Sequence, residues 1–197
     1  MPATAPPLPQ AVSGQTEILA LPGFGQLVVT VDGAGPPLLL VHSVNAAASA
    51  AQVRPLHAHW RASRTVYSID LPGYGLSDRP DIAYTPRLMT DALHALRQHV
   101  RQRCGDAPVD ALALSLASEF LARAAVERPG DYRRLALVSP TGFMGKKVWR
   151  GAPGSTRRVP GLLAVLRGPG WGGALFRGLT RPAVVRYFLQ RTWGAKA

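Results

Sequence analysis

The hydrophobic period of the chain changes abruptly at Ser115, and few folds accommodate such a junction. Val109-Asp110-Ala111-Leu112-Ala113-Leu114 predicts a short buried strand. Leu116 to Arg128 predicts a helix, with Leu116, Phe120, Leu121, Ala124 and Ala125 on one side and Pro129-Gly130 as its stop. A serine at the tip of a strand-to-helix turn projects its hydroxyl from the sheet edge. It also lies at a helix N-terminus, where free N–H groups stabilise developing negative charge. Ala113 and Ala117, two residues to either side, are small enough for the backbone to turn tightly. This is the geometry of a nucleophile elbow. The same pattern also fits a serine that merely caps a helix, so its surroundings must decide.

Two further strands end in informative turns. Pro36-Pro37-Leu38-Leu39-Leu40-Val41 reads as a buried parallel strand and runs into His42-Ser43-Val44-Asn45-Ala46-Ala47. Val66-Tyr67-Ser68-Ile69 runs into Asp70-Leu71-Pro72-Gly73-Tyr74-Gly75-Leu76-Ser77-Asp78-Arg79-Pro80. With the serine junction, these turns resemble the α/β-hydrolase superfamily in type, order and separation, over roughly Leu27 to Phe143. Two positions depart from the pattern. The Gly-x-Ser-x-Gly of the family is here Ala113-Leu114-Ser115-Leu116-Ala117, and its His-Gly is His42-Ser43. Ser43 is the larger change, because glycine at that turn can adopt angles that serine avoids.

The resemblance implies roles for particular residues. Ser115 would be the catalytic nucleophile, attacking a carbonyl carbon. The backbone N–H groups of Val44 and Leu116 would form an oxyanion hole, a task indifferent to their side chains. His42 and Ser43 would order the turn beside the site. A serine at position 115, where the haloalkane-dehalogenase and epoxide-hydrolase branches place aspartate, points to acyl transfer, most simply ester hydrolysis. The family's chain order is Ser, then Asp or Glu, then His. Here His42, His57, His59, His94 and His99 all precede Ser115, and no Asp or Glu follows Asp131. The resemblance therefore supplies a nucleophile and an oxyanion hole without the downstream acid and base, as in a truncated or incomplete form. His57, His59, His94 and His99 read most simply as surface or helix-flank residues on Ala48–Arg61 and Pro86–Arg103. No spacing among them suggests a metal site, and no cofactor is expected.

Charge is unevenly distributed along the chain. Residues 1–131 hold 10 Lys/Arg and all 11 Asp/Glu, whereas residues 132–197 hold 13 Lys/Arg and no acid. The cations are scattered among Gly, Trp and apolar residues instead of forming short runs, so no specific nucleic-acid site is expected. No apolar run approaches 18 residues, so no membrane span is expected. The N-terminus lacks the basic and apolar regions of a signal peptide, and the lone Cys104 suits a reducing compartment, so the expectation is cytoplasmic.

Together these readings give an α/β fold: a mostly parallel sheet of six strands, helices on both faces, and a partial helical lid. The opening strands fall near Glu17–Leu21 and Gln26–Val31. Residues 1–14 read as a flexible leader, 15–140 as an incomplete hydrolase-like core, and 141–197 as a basic lid region. In the lid, helical pieces are expected at Pro160–Arg167, Gly173–Gly178 and Pro182–Thr192, and Trp149, Trp171, Phe176, Tyr187, Phe188 and Trp193 could line an acyl pocket or dock the lid. Three functions follow. The first is a serine hydrolase of ester-like, small-molecule acyl substrates, completed by a missing C-terminal half or by another chain. The second is an inactive relative that binds without turnover, and the third is a basic adaptor for acidic surfaces. A sheet ending at its sixth strand also exposes an apolar edge prone to self-association.

Overall fold

Strand β3 (Pro37–Val41) is apolar at every position, and burial on both of its sides determines the architecture. Leu39 and Val41 face one apolar cluster, and Leu38 and Leu40 face another, as expected of a central parallel strand. The computed structural model describes residues 8–45, 48–141, 161–162, 165 and 171–193. Contacts divide the chain into two units, Met1–Gly154 and Ser155–Ala197.

In the first unit, β1 (Gln15–Leu21) and β2 (Gly25–Asp32) form an antiparallel hairpin. Strand β4 (Thr65–Asp70) pairs antiparallel with β2 and parallel with β3. Strand β5 (Val109–Leu114) joins the other side of β3, and β6 (Tyr132–Val138) follows it, giving the order β1-β2-β4-β3-β5-β6. The chain leaves β3 toward β4 and then returns across it to β5. Connections therefore diverge at the carboxyl ends of β3 and β5, where an open sheet forms its ligand crevice.

The helices follow from local signals. The expected helix at Ala48–Arg61 divides into a 3₁₀ turn at Ala50–Val53 and α1 (Arg54–Trp60), with Pro55 in the first helical turn of α1. Helix α2 (Pro86–Cys104) starts at Thr85, whose hydroxyl accepts from the Leu88 N–H, and stops at Gly105. It lays Met89, Ala92, Leu93, Leu96 and Val100 on the sheet face shared with α3 (Ala117–Glu127). Mid-helix Arg97 is fully buried and donates to the carbonyls of Ala107 and Asp131 (2.9 and 3.0 Å), tying α2 to the starts of β5 and β6.

Residues 8–14, expected within a flexible leader, are held in place. Val12 is buried, the Ser13 hydroxyl donates to Asp32 (2.7 Å), and the Ala11 carbonyl accepts from Arg54 (2.7 Å). The expected histidine positions also need correction. His57 is 1% exposed, with Nδ1 2.8 Å from the Ser68 hydroxyl, and His94 is buried against Glu127 (2.8 Å). A polar residue at helical spacing can serve the core when a strand hydroxyl or a carboxylate meets it, and spacing alone does not reveal that partner.

The second unit contains α4 (Gly172–Leu179) and α5 (Pro182–Trp193), close to the helical pieces expected there; residues 160, 163–164 and 166–167 of the remaining piece lie outside the described residues.

Strand β6 is the last in the sheet order, and its Leu135 and Val138 are 38% and 42% exposed. Such an edge is a template for strand addition, and a charge on it opposes pairing. Leu135→Lys is expected to shift the chain toward monomer in size-exclusion chromatography, without lowering its melting temperature by more than a few degrees.

Candidate functional site

Ser115 adopts φ +54°, and only it and Ser139 among the described non-glycine residues have positive φ. A left-handed serine is costly, so surrounding contacts must impose it. Its N–H donates to the Val138 carbonyl at the end of β6 (2.8 Å). Its carbonyl accepts from the Ser118 N–H (3.1 Å), and the Ser118 hydroxyl reaches back to the Ala113 carbonyl (3.2 Å). Ala113 and Ala117 are both fully buried, so the small flanking side chains match the packing around the turn. Ser115 itself is partly exposed.

The facing turn is set by strand register. Val41 of β3 lies opposite Ala113 of β5, so Val44 and Leu116 each follow three residues beyond a paired position. Among the described residues, neither backbone N–H donates to another group. Ser43 differs: its N–H and hydroxyl both donate to Gln52 Oε1 (2.9 and 2.7 Å), and its hydroxyl accepts from Asn45 (2.8 Å). Its φ is not positive, so serine meets no conformational penalty where the sequence comparison expected one. Gln52 was not singled out from the sequence. Its signal, a polar residue within an otherwise apolar 3₁₀ turn, is too common to identify it.

His42 is fully buried and joins two turns. Its Nε2 accepts from the Leu71 N–H (3.0 Å), which leaves Nδ1 protonated and donating to the Ser43 carbonyl (2.6 Å). Burial pushes its pKa below the usual histidine value, so the ring is neutral. With both nitrogens engaged by backbone, it has no lone pair for the Ser115 proton. The other histidines are also placed elsewhere. His57 meets Ser68, His94 meets Glu127, His99 meets Glu17 (2.5 Å), and His59 packs edge-on against Trp60. Among the described residues, no side chain hydrogen-bonds the Ser115 hydroxyl, and no three His, Cys, Asp or Glu side chains could hold a metal ion.

The β4 turn completes the crevice. Asp70 is buried, and its two carboxylate oxygens accept from the N–H groups of Ala50 (2.7 Å) and Leu76 (2.9 Å). A Cβ on Gly75 would fall 2.0 Å from the Asp70 carboxyl carbon, which explains the glycine at that position of the turn. Tyr74 packs edge-on against His42, with 5.4 Å between ring centroids. Of the aromatics expected to line or dock a lid, Trp171, Phe176 and Tyr187 are exposed, while Trp149 and the side chains of Phe188 and Trp193 lie outside the described residues. Among the described residues, no helix is long and apolar enough to cross a membrane.

No protein-family model and no curated protein matches the chain. Solved structures do. A serine hydrolase involved in carbazole degradation is 20% identical with a TM-score of 0.60, covering 66% of this chain and 50% of its own. An N-formylmaleamic acid deformylase from Pseudomonas putida S16 is 25% identical with a TM-score of 0.54, over 64% of this chain and 47% of its own. A naproxen esterase from Bacillus subtilis is 23% identical with a TM-score of 0.54, over 66% and 44%. The chain thus spans about half the length of these structures or less.

Two outcomes are expected from this geometry. Ser115→Gly should be more stable than Ser115→Ala by about 1 kcal/mol in denaturant titration, because both lose the hydroxyl and only glycine relieves the left-handed φ. His42→Ala should cost about 3 kcal/mol, since it leaves the Leu71 N–H and the Ser43 carbonyl unpaired in the interior.

Proposed function

We propose that this chain, which carries the α/β-hydrolase fold, is the nucleophile-bearing part of a serine hydrolase acting on ester-like acyl substrates. The observation that carries the reading is Ser115 itself. It is a left-handed residue on a strand-to-helix turn, beside the undonated N–H of Leu116 and in register with that of Val44. In this reading the Ser115 oxygen attacks the acyl carbon while its proton passes to a base. The carbonyl electron pair moves onto oxygen and is received by the Val44 and Leu116 N–H groups. Collapse expels the alcohol with a proton, and water releases the acid and restores Ser115.

The base is not one of the chain's five histidines, each of which is engaged or placed elsewhere. No histidine follows Ser115 in the sequence. We place the base and its supporting carboxylate on polypeptide outside this sequence, either a C-terminal half or a second chain. The basic region 141–197 would serve as a lid, with cytoplasmic, small-molecule hydrolysis as its setting. A second reading, a binding module of the same fold, is favoured by the Ser115 hydroxyl, which no side chain among the described residues hydrogen-bonds.

Fluorophosphonate labelling with imidazole added as an external base distinguishes the two readings. The hydrolase reading expects labelling of the folded chain to rise at least tenfold with imidazole and to vanish in Ser115→Ala. A folded sample whose labelling ignores imidazole would favour the binding module. Rapid labelling without imidazole would place a base within the chain.

A further inference from the structure

Beside the Val44 turn lies a groove of about 720 Å³, lined in part by Asn45, Tyr74, Arg79, Asp81, Tyr84 and Met89. Two of its lining residues neighbour the proposed reaction centre. Asn45 directly follows Val44, and Tyr74 packs against His42, which orders that turn. One wall is aromatic and preset. The Tyr84 hydroxyl donates to the Pro80 carbonyl (2.9 Å), and its ring packs edge-on against Phe24 (6.3 Å between centroids). The same ring lies so close to Gly73 that a Cβ there would be 2.6 Å from it.

Arg79 is the cation of this groove. Its guanidinium carries five N–H donors. The structure gives it two acceptors, both neutral carbonyls: Gly75 (2.5 Å) and Ser77 (3.5 Å). No carboxylate of a described residue lies within 4.0 Å of it. Asp78, which accepts from the Gln26 N–H (2.7 Å), and Asp81, which lines the same groove, both lie beyond 4.0 Å from the guanidinium. This arginine contrasts with most of its counterparts in the first unit. Arg61, Arg64, Arg87, Arg97, Arg101, Arg103, Arg123 and Arg133 each have an acid partner. A guanidinium held by its own loop, with no counter-ion among the described residues, has a planar face of donors suited to a carboxylate.

We propose that this groove binds the acyl part of the substrate and that Arg79 recognises a free carboxylate on it, so that the substrates are monoesters or monoamides of dicarboxylic acids. The assignment of the carboxylate to the acyl part rests on the reading of Ser115 as acyl acceptor; the carboxylate site itself does not. The acyl chain lies against Tyr74, Tyr84 and Met89, with its carboxylate on Arg79 and its reacting carbonyl toward Val44. Neutral esters of similar size lack the ionic contact and bind less tightly.

Binding of stable amides tests this without requiring turnover. N-phenylsuccinamic and N-phenylglutaramic acids, each paired with its methyl ester, would be titrated calorimetrically into the full chain. At least one acid should bind tenfold or more tightly than its ester. Arg79→Gln should abolish that difference. Arg79→Lys, which keeps the charge but loses the fork, should retain part of it, and it carries the test if Arg79→Gln fails to fold. Acids and esters that bind within twofold of each other, or not at all, would overturn the proposal, as would a difference that survives Arg79→Gln. Fluorophosphonate labelling of the same preparation in the presence of imidazole separates the two readings. Labelling without carboxylate preference sinks only the groove assignment, whereas carboxylate preference without labelling sinks only the hydrolase reading.

Discussion

The peptide joining Asp70 to Leu71 is the point on which the crevice depends. Asp70's carboxylate holds the first turn after β3 through the Ala50 N–H and its own loop through Leu76. Its carbonyl accepts from the Ser77 hydroxyl (2.6 Å), which in turn accepts from the Val28 N–H of β2 (2.8 Å). The next N–H, that of Leu71, goes to His42. One buried peptide thus links β2, the β3 turn and the β4 loop, and every one of these groups would be an uncompensated polar atom if its partner were lost. Such a network favours a single arrangement over several loose ones, which a site with fixed backbone donors requires.

Much of this architecture was legible in the chain. The apolar run at Leu38–Val41, the alternation of strands with amphipathic helices, and the Pro and Gly punctuation around α2 all gave the correct elements. The serine turn was legible because a change of period is local. What escaped were contacts between distant residues. His57 on Ser68, Arg97 on Asp131 and Gln52 on Ser43 each depend on which residue the tertiary fold brings opposite. A helical wheel places His57 on a flank and says nothing about a serine on β4. The same applies to residues 8–14, whose Pro-rich composition suggests freedom but whose Val12 and Ser13 find partners.

The electrostatics of the first unit also reward attention to pairing over totals. Asp110, at the start of β5, lies between Arg64 and Arg133 (both 2.6 Å), and these cations hold its carboxyl well below the usual range. Glu127 is lowered to about 2, chiefly by Arg87 and also by His94. These contacts are partly exposed and individually modest, yet they tie the start of β5 to the starts of β4 and β6, and α2 to the end of α3. A unit in which most described arginines have an acid partner makes an arginine without one, placed in a groove, informative.

The Ser43–Gln52–Asn45 cluster has an evolutionary consequence. A glycine at position 43 would keep its N–H donor but lose the hydroxyl that Gln52 and Asn45 both engage. Gln52 would then be left with one of its two donors, and Asn45 with one acceptor fewer. Selection would accordingly act on the three positions as one character. Relatives with glycine at 43 should show relaxed constraint at 45 and 52, while those with serine should hold the glutamine, giving a covariation signature for this variant of the turn.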